Sequence, residues 1–305
     1  FLLDIAVGVV LANTLAYGED LTKFSSLQGL NLYLDTGYIF ALLGINGEDT
    51  RTAFSELTKD LIDIGVKIFI FEHTYDEIMR ILNGVLYWMR QTDYGDLRKA
   101  SRAFQYFLKN NFTESDVEVF IAQISSAFDT YKIQKAAKPS YSEDIKYQIS
   151  ETELKALIVE TYKLSDPFFD ESTKDETINK DVESIYSICK LRKGHIAYTL
   201  KDASHIFVTT NFSLAKISGR IQSNDNAPFS IPPCITDVLI GTLIWLRQPA
   251  KTKNLNEKKL IADAYAAVQP DAYLVKKYLE EVNRLKIKGE ISNDEYYVLR
   301  TNRAA

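Results

Sequence analysis

Soft metal ligands are scarce in this 305-residue chain: there are two cysteines, Cys189 and Cys234, and three histidines. The cysteines form no CxxC spacing, and so few ligands exclude an ordinary zinc site. A reducing compartment, and hence a cytoplasmic location, suits that usage best. Positive charge is also in short supply. A net charge of -5 and a pI near 5.4 exclude a protein that coats nucleic acid through bulk charge, and leave that task to a local basic patch. The most apolar stretch, Phe1 to Tyr17, is interrupted by Asp4 and Asn13 and is preceded by no basic residue. It therefore reads as a buried helix rather than a signal peptide or membrane span. The chain opens inside this stretch without a methionine, as a piece of a longer protein would. Internal repeats and low-complexity tracts are missing. What is present is average globular composition, 46% hydrophobic and 25% charged, in a chain long enough for roughly two domains.

The hydrophobic pattern alternates between strand and helix in two separate regions. Asn31 to Leu34 is a short apolar run consistent with a buried strand, and Thr36 can cap a helix carrying Tyr38, Ile39, Leu42 and Leu43. A helix from about Thr50 to Ile64 places Phe54, Leu57, Leu61 and Ile64 on one face and ends at Gly65. Val66 to Phe71 is rich in β-branched and aromatic residues, as strands are, and Tyr75 to Leu82 begins the next helix. From about Val85 to Lys174 the pattern is helical with no clear strand, including Leu97 to Lys109 and Glu114 to Tyr131. Alternation returns with a helix over Thr177 to Leu191, a strand at His205 to Thr209, and helices at Leu214 to Gly219 and Asp237 to Leu246. Helical periodicity continues from Leu255 to Arg300. The expected fold is α/β, with helices on both faces of a parallel sheet. The expected organisation is an N-terminal helix and linker (1–29), an α/β part (30–84), a helical insertion (85–175), a second α/β part (176–232) and a helical C-terminal region (233–305).

Polar residues close these apolar runs. Asp35 follows the first strand, Glu72 and Glu77 follow the second, Asp181 sits on a helix, and Thr209-Thr210-Asn211 follow the last strand. In an open parallel sheet the carboxyl ends of the strands form a common edge beyond which ligands bind. Acids gathered there can hold Mg²⁺ or Mn²⁺, hard cations that take oxygen ligands. Each residue also has a plain structural reading. Asp35 can cap the following helix, Glu77 can close a capping box with Thr74, Asp181 can be a solvated helix residue, and Asn211 can cap the helix from Phe212. Between Tyr186 and Arg220 the chain carries Lys190, Arg192, Lys193, Lys201, Lys216 and Arg220 against one acid, Asp202. That local excess suits a phosphate backbone, or simply a solvated surface.

The segment Leu34-Asp35-Thr36-Gly37-Tyr38-Ile39 resembles the opening motif of the PIN-domain family of metal-dependent ribonucleases. Phe71 to Leu82 is similar to that family's second motif, and Asp181 to Asn211 to its third and fourth, within about a third of the chain. The resemblance implies a three-layer PIN-like fold in which Asp35, Glu77 and Asp181 are metal-binding carboxylates, and Asn211, standing where the family commonly has a fourth acid, completes the metal site as a weaker ligand through its uncharged amide oxygen. Glu72 competes with Glu77 for the second position, and Glu183 or Asp202 with Asp181 for the third. Thr209 or Thr210 would hydrogen-bond a ligand carboxylate. The implied activity is endonucleolytic hydrolysis of single-stranded or structured RNA with Mg²⁺ or Mn²⁺. An inactive PIN-like module for RNA binding or protein assembly, and a nuclease for DNA, stay open, as does a protein partner or homo-oligomer through the helical regions.

Overall fold

The computed structural model describes residues 27–91, 101–140, 149–165, 169–222, 230–247 and 284–290. The expected helix at 1–17 and most of the helical tract 255–300 lie outside these residues. The core is a five-stranded, all-parallel sheet. Its strands are β1 (Asn31–Leu34), β2 (Lys67–Phe71), β3 (Ile133–Ala136), β4 (His205–Thr209) and β5 (Cys234–Thr236), in the spatial order β3-β2-β1-β4-β5.

Alternation along each strand feeds two separate cores, because successive side chains leave a strand on opposite faces. Leu32, Leu34, Ile68, Ile70, Ile206, Val208 and Ile235 point to one side. There they meet α1 (Thr36–Leu42), α2 (Glu48–Asp63), α3 (Glu72–Met89), α4 (Arg102–Lys109), α5 (Glu114–Thr130) and, at the chain's return, α10 (Asp237–Arg247). Tyr33, Phe71, Phe207 and Cys234 point to the other side, against α6 (Glu151–Ser165), α7 (Glu171–Leu191) and α9 (Phe212–Gln222). Strands buried on both faces read as nearly continuous apolar runs, which is why β1, β2 and β4 stand out in the sequence. On the second face Tyr33 stacks between Phe69 and Phe71, with centroids at 5.2 and 4.5 Å.

Connection handedness explains why the helices divide as they do. Right-handed crossovers that step from β1 to β2 to β3 place their helices on one face, and steps in the opposite direction, from β4 to β5, place theirs on the other. The direction reverses between β1 and β4, which pair in register from Asn31 with His205 to Leu34 with Val208. The carboxyl ends of those two strands are therefore the place where a crevice opens.

Two expectations need correction. The block 85–174 is not free of strands: β3 pairs with β2, Ile68 opposite Ile133 through Phe71 opposite Ala136. Residue 233 onward does not begin as helix, because β5 pairs with β4 through Phe207 and Cys234 before α10 starts. Both strands are sheet edges, short and with a neighbour on one side only. Lys135 of β3 lays its ammonium over the Tyr75 ring, 3.2 Å from the centroid, as a cation–π contact. Among the described residues, no helix is long and apolar enough to cross a membrane.

The fold also uses part of the basic cluster internally. Arg192 is 3% exposed and donates from Nε to His205 O (2.7 Å), from Nη1 to Ile231 O (2.8 Å) and from Nη2 to Pro232 O (3.0 Å). It clamps the start of β4 to the segment entering β5. Lys190, 7% exposed, donates to Ser140 O. Neither cation is available to a phosphate backbone, which corrects that expectation for both. Arg192→Met leaves three carbonyls without their donor and is expected to cost on the order of 3 kcal/mol, since a buried acceptor left unmatched is expensive. Thermal unfolding should show a Tm lower by several degrees; an unchanged Tm would contradict the clamp.

Candidate active site

Asp35 leaves β1 directly into α1 and caps that helix. Its Oδ1 accepts from Thr36 N (2.7 Å), and its Oδ2 accepts from Thr209 Oγ1 (2.6 Å) at the end of β4. The capping and site readings of Asp35 thus coexist, with the helix N-terminus favouring its negative charge. Thr36, which the sequence offered as the cap, instead turns its hydroxyl to Glu77 Oε2 at 2.6 Å. Close approach is required here: a Cβ on Gly37 would lie 2.3 Å from Thr210 Oγ1. Glycine lets the first turn of α1 pack against the turn after β4.

Glu77 lies in the second turn of α3 and is 8% exposed. No capping box forms with Thr74, because α3 already begins at Glu72 with Phe71 as its N-cap. Asp181, in the middle of α7, accepts from the Tyr162 hydroxyl of α6 at 2.9 Å. Asn211 donates from Nδ2 to the same hydroxyl (2.6 Å), accepts at Oδ1 from Leu214 N (3.3 Å), and donates its own backbone N–H to Thr209 Oγ1 (2.9 Å).

Asp35, Glu77, Asp181 and Asn211 line one cavity of about 340 Å³. Its remaining wall includes Thr36, Tyr162, Phe169, Lys174 and Thr177. Four segments far apart in the chain are thus brought to one place at the carboxyl edge. Burial, with repulsion from Glu77, pushes the Asp35 carboxyl up to about 6 against the pull of its Thr209 hydrogen bond. Burial, then repulsion from Asp35 and Glu77, holds the Asp181 carboxyl well above the usual range. All the side-chain donors facing the cavity are oxygens or nitrogens, with no thiol or imidazole among them. Among the described residues, no three His, Cys, Asp or Glu side chains are gathered tightly enough to form a cation cage. Each of the three carboxyls that line the cavity has a hydroxyl partner.

The other expected residues lie elsewhere. Glu72 is exposed and outside the cavity. Glu183 is paired with Lys138 and sits 3.7 Å from His73. Asp202 accepts from His195 Nε2 (2.9 Å) on α8 (Leu200–Ala203). That helix enters β4, so Asp202, Lys193 and Lys201 belong to the amino edge, opposite the cavity. Lys216 and Arg220 are exposed on α9 and do not line it. The cation that does line it is Lys174, which lies three residues before Thr177 and seven before Asp181 on one face of α7. That spacing is visible in the sequence once Asp181 is chosen; nothing comparable marks Tyr162. No protein-family model, curated protein or solved structure matches this chain.

The raised Asp35 value has a definite consequence for stability. A carboxyl whose value rises on folding from 3.8 to about 6 favours the fold most below pH 4 and loses that contribution as pH climbs through 6. Asn at position 35 keeps the helix cap and removes the charge. In chelator at pH 7, Asp35→Asn is therefore expected to be more stable than wild type by up to about 3 kcal/mol, with a flatter Tm profile between pH 4 and 6. Parallel profiles for the two proteins would show that Asp35 carries no such strain.

Proposed function

We propose that the chain is a PIN-like, metal-dependent endonuclease that hydrolyses RNA phosphodiester bonds in this cavity. One observation carries the reading. Three carboxylates from β1, α3 and α7 share a cavity at the point where strand order reverses, and two of them are raised by burial and mutual repulsion. Clustered carboxylates are costly unless a cation offsets them. Mg²⁺ keeps several of its waters and takes one or two protein carboxylates rather than a closed cage, so carboxyls that line one cavity without forming a cage suit a hydrated ion. When bound, such an ion neutralises phosphate charge and acidifies water.

The chain's own residues supply the rest. Asp35, Glu77 and Asp181 would hold Mg²⁺ or Mn²⁺. Thr209, Thr36 and Tyr162 fix their orientations by hydrogen bonds of 2.6, 2.6 and 2.9 Å. Lys174 presents a positive charge on the same wall, where a phosphate would enter. This replaces the cluster from 190 to 220 as the backbone grip.

A second reading is a PIN-like module without activity, which binds RNA or assembles with protein. It is favoured by the finding that, among the described residues, no three His, Cys, Asp or Glu side chains form a group able to hold a metal ion. Incubation of the full chain with single-stranded RNA and DNA, with and without Mn²⁺, separates the two. RNA cleavage that needs Mn²⁺ and falls at least about 100-fold in Asp35→Asn supports the enzyme; loss of a ligand should exceed the 10- to 100-fold typical of an outer-shell change. RNA binding without cleavage supports the module, and cleavage that ignores metal and substitution marks a contaminant. If cleavage is confirmed, Lys174→Ala should raise KM for RNA with little change in kcat, and reduce the salt dependence of binding by about one phosphate contact. An unaltered salt dependence would remove Lys174 from the substrate path.

A further inference from the structure

Asn211 has a more specific role than that of a missing acid. Its amide orientation is fixed by chemistry: the Leu214 backbone N–H can only donate, so the atom 3.3 Å from it is Oδ1. The amide NH₂ is thereby turned to the Tyr162 oxygen, 2.6 Å away. An amide nitrogen cannot accept a hydrogen bond, so Tyr162 accepts here and its single proton goes to Asp181 Oδ2 at 2.9 Å. The same logic holds one atom along the backbone. Asn211 N–H donates to Thr209 Oγ1 at 2.9 Å, which directs the hydroxyl proton of Thr209 to Asp35 Oδ2 at 2.6 Å.

We infer that Asn211 is not a weak fourth ligand but a double donor, which fixes the polarity of two hydroxyls so that each gives its proton to one carboxylate of the site. The cation-site reading above underlies this inference. Asn211 and Tyr162 are positioning residues, acting on a bound cation through Asp181. A neutral side chain at 211 is a requirement of the arrangement. A carboxylate there has no proton to give, so the side chains at positions 211 and 181 would compete for the one Tyr162 proton. It would also add a fourth negative charge to a cavity that already holds three carboxyls. The oxygen that caps α9 through Leu214 N is available from either residue type, so the exchange leaves the fold intact.

Mn²⁺ binding to the full chain, read by electron paramagnetic resonance of the free ion and by calorimetry, tests this without relying on cleavage. The proteins to compare are wild type, Asp35→Asn, Asn211→Asp and Tyr162→Phe, each checked for an unchanged circular dichroism spectrum. Wild type should bind and Asp35→Asn should not. Asn211→Asp and Tyr162→Phe should each weaken binding about 10- to 100-fold, the usual cost of losing an outer-shell partner. Tighter Mn²⁺ binding in Asn211→Asp, with Asp35→Asn still inert, would overturn the donor role and make position 211 a ligand while leaving the cation site standing. Unchanged affinity in both Asn211→Asp and Tyr162→Phe would also overturn it. Wild-type protein that binds no Mn²⁺ would remove the cation site and the donor role together.

Discussion

The hydrogen bond from Thr209 to Asp35 joins the ends of the two strands between which the chain reverses its course across the sheet. Everything at the site depends on that reversal. Because β1 has β2 on one side and β4 on the other, the helices leaving their carboxyl ends part to opposite faces and a crevice opens between them. Asp35 reaches it from β1, Glu77 from the helix after β2, and Asp181 from the helix that returns toward β4. Gly37 and Thr210 pack closely across the same gap.

The cavity holds more negative charge than a stable core would choose. Burial and repulsion raise two of its carboxyls, and the fold gives each of the three a hydroxyl donor, with Asp35 also capping a helix. Arg80, the nearest ion-pair cation to Glu77, stays 3.9 Å away and is closer to Glu176. On the proposed reading, a divalent cation held only by the folded state would add to its stability. Local cost retained at one position, within an otherwise well-satisfied fold, is the pattern expected where function competes with stability.

The central strands were legible because both their faces are buried, so β1, β2 and β4 are almost wholly apolar. β3 was not, since its sequence Ile133-Gln134-Lys135-Ala136 buries one side chain fully and exposes the next two. β5 was hidden by brevity and by the prolines before it, Pro232 and Pro233. Asp35, Glu77, Asp181 and Asn211 were singled out by motif order and strand-end position, and all four line one cavity. Tyr162 escaped because a tyrosine inside an amphipathic helix has no local mark of what it faces. The basic cluster misled for the opposite reason. Counting charge along the chain says nothing about direction, and Arg192 points inward to carbonyls while Lys193 and Lys201 lie on the far edge of the sheet.

The claim on which the rest stands is that Asp35, Glu77 and Asp181 jointly attract one divalent cation. An anomalous difference map from crystals grown with millimolar Mn²⁺ tests it most directly. The expected result is a single strong peak inside the cavity, within direct or one-water reach of all three carboxylates. A map with no peak there, or with Mn²⁺ bound only at other positions, would contradict the claim.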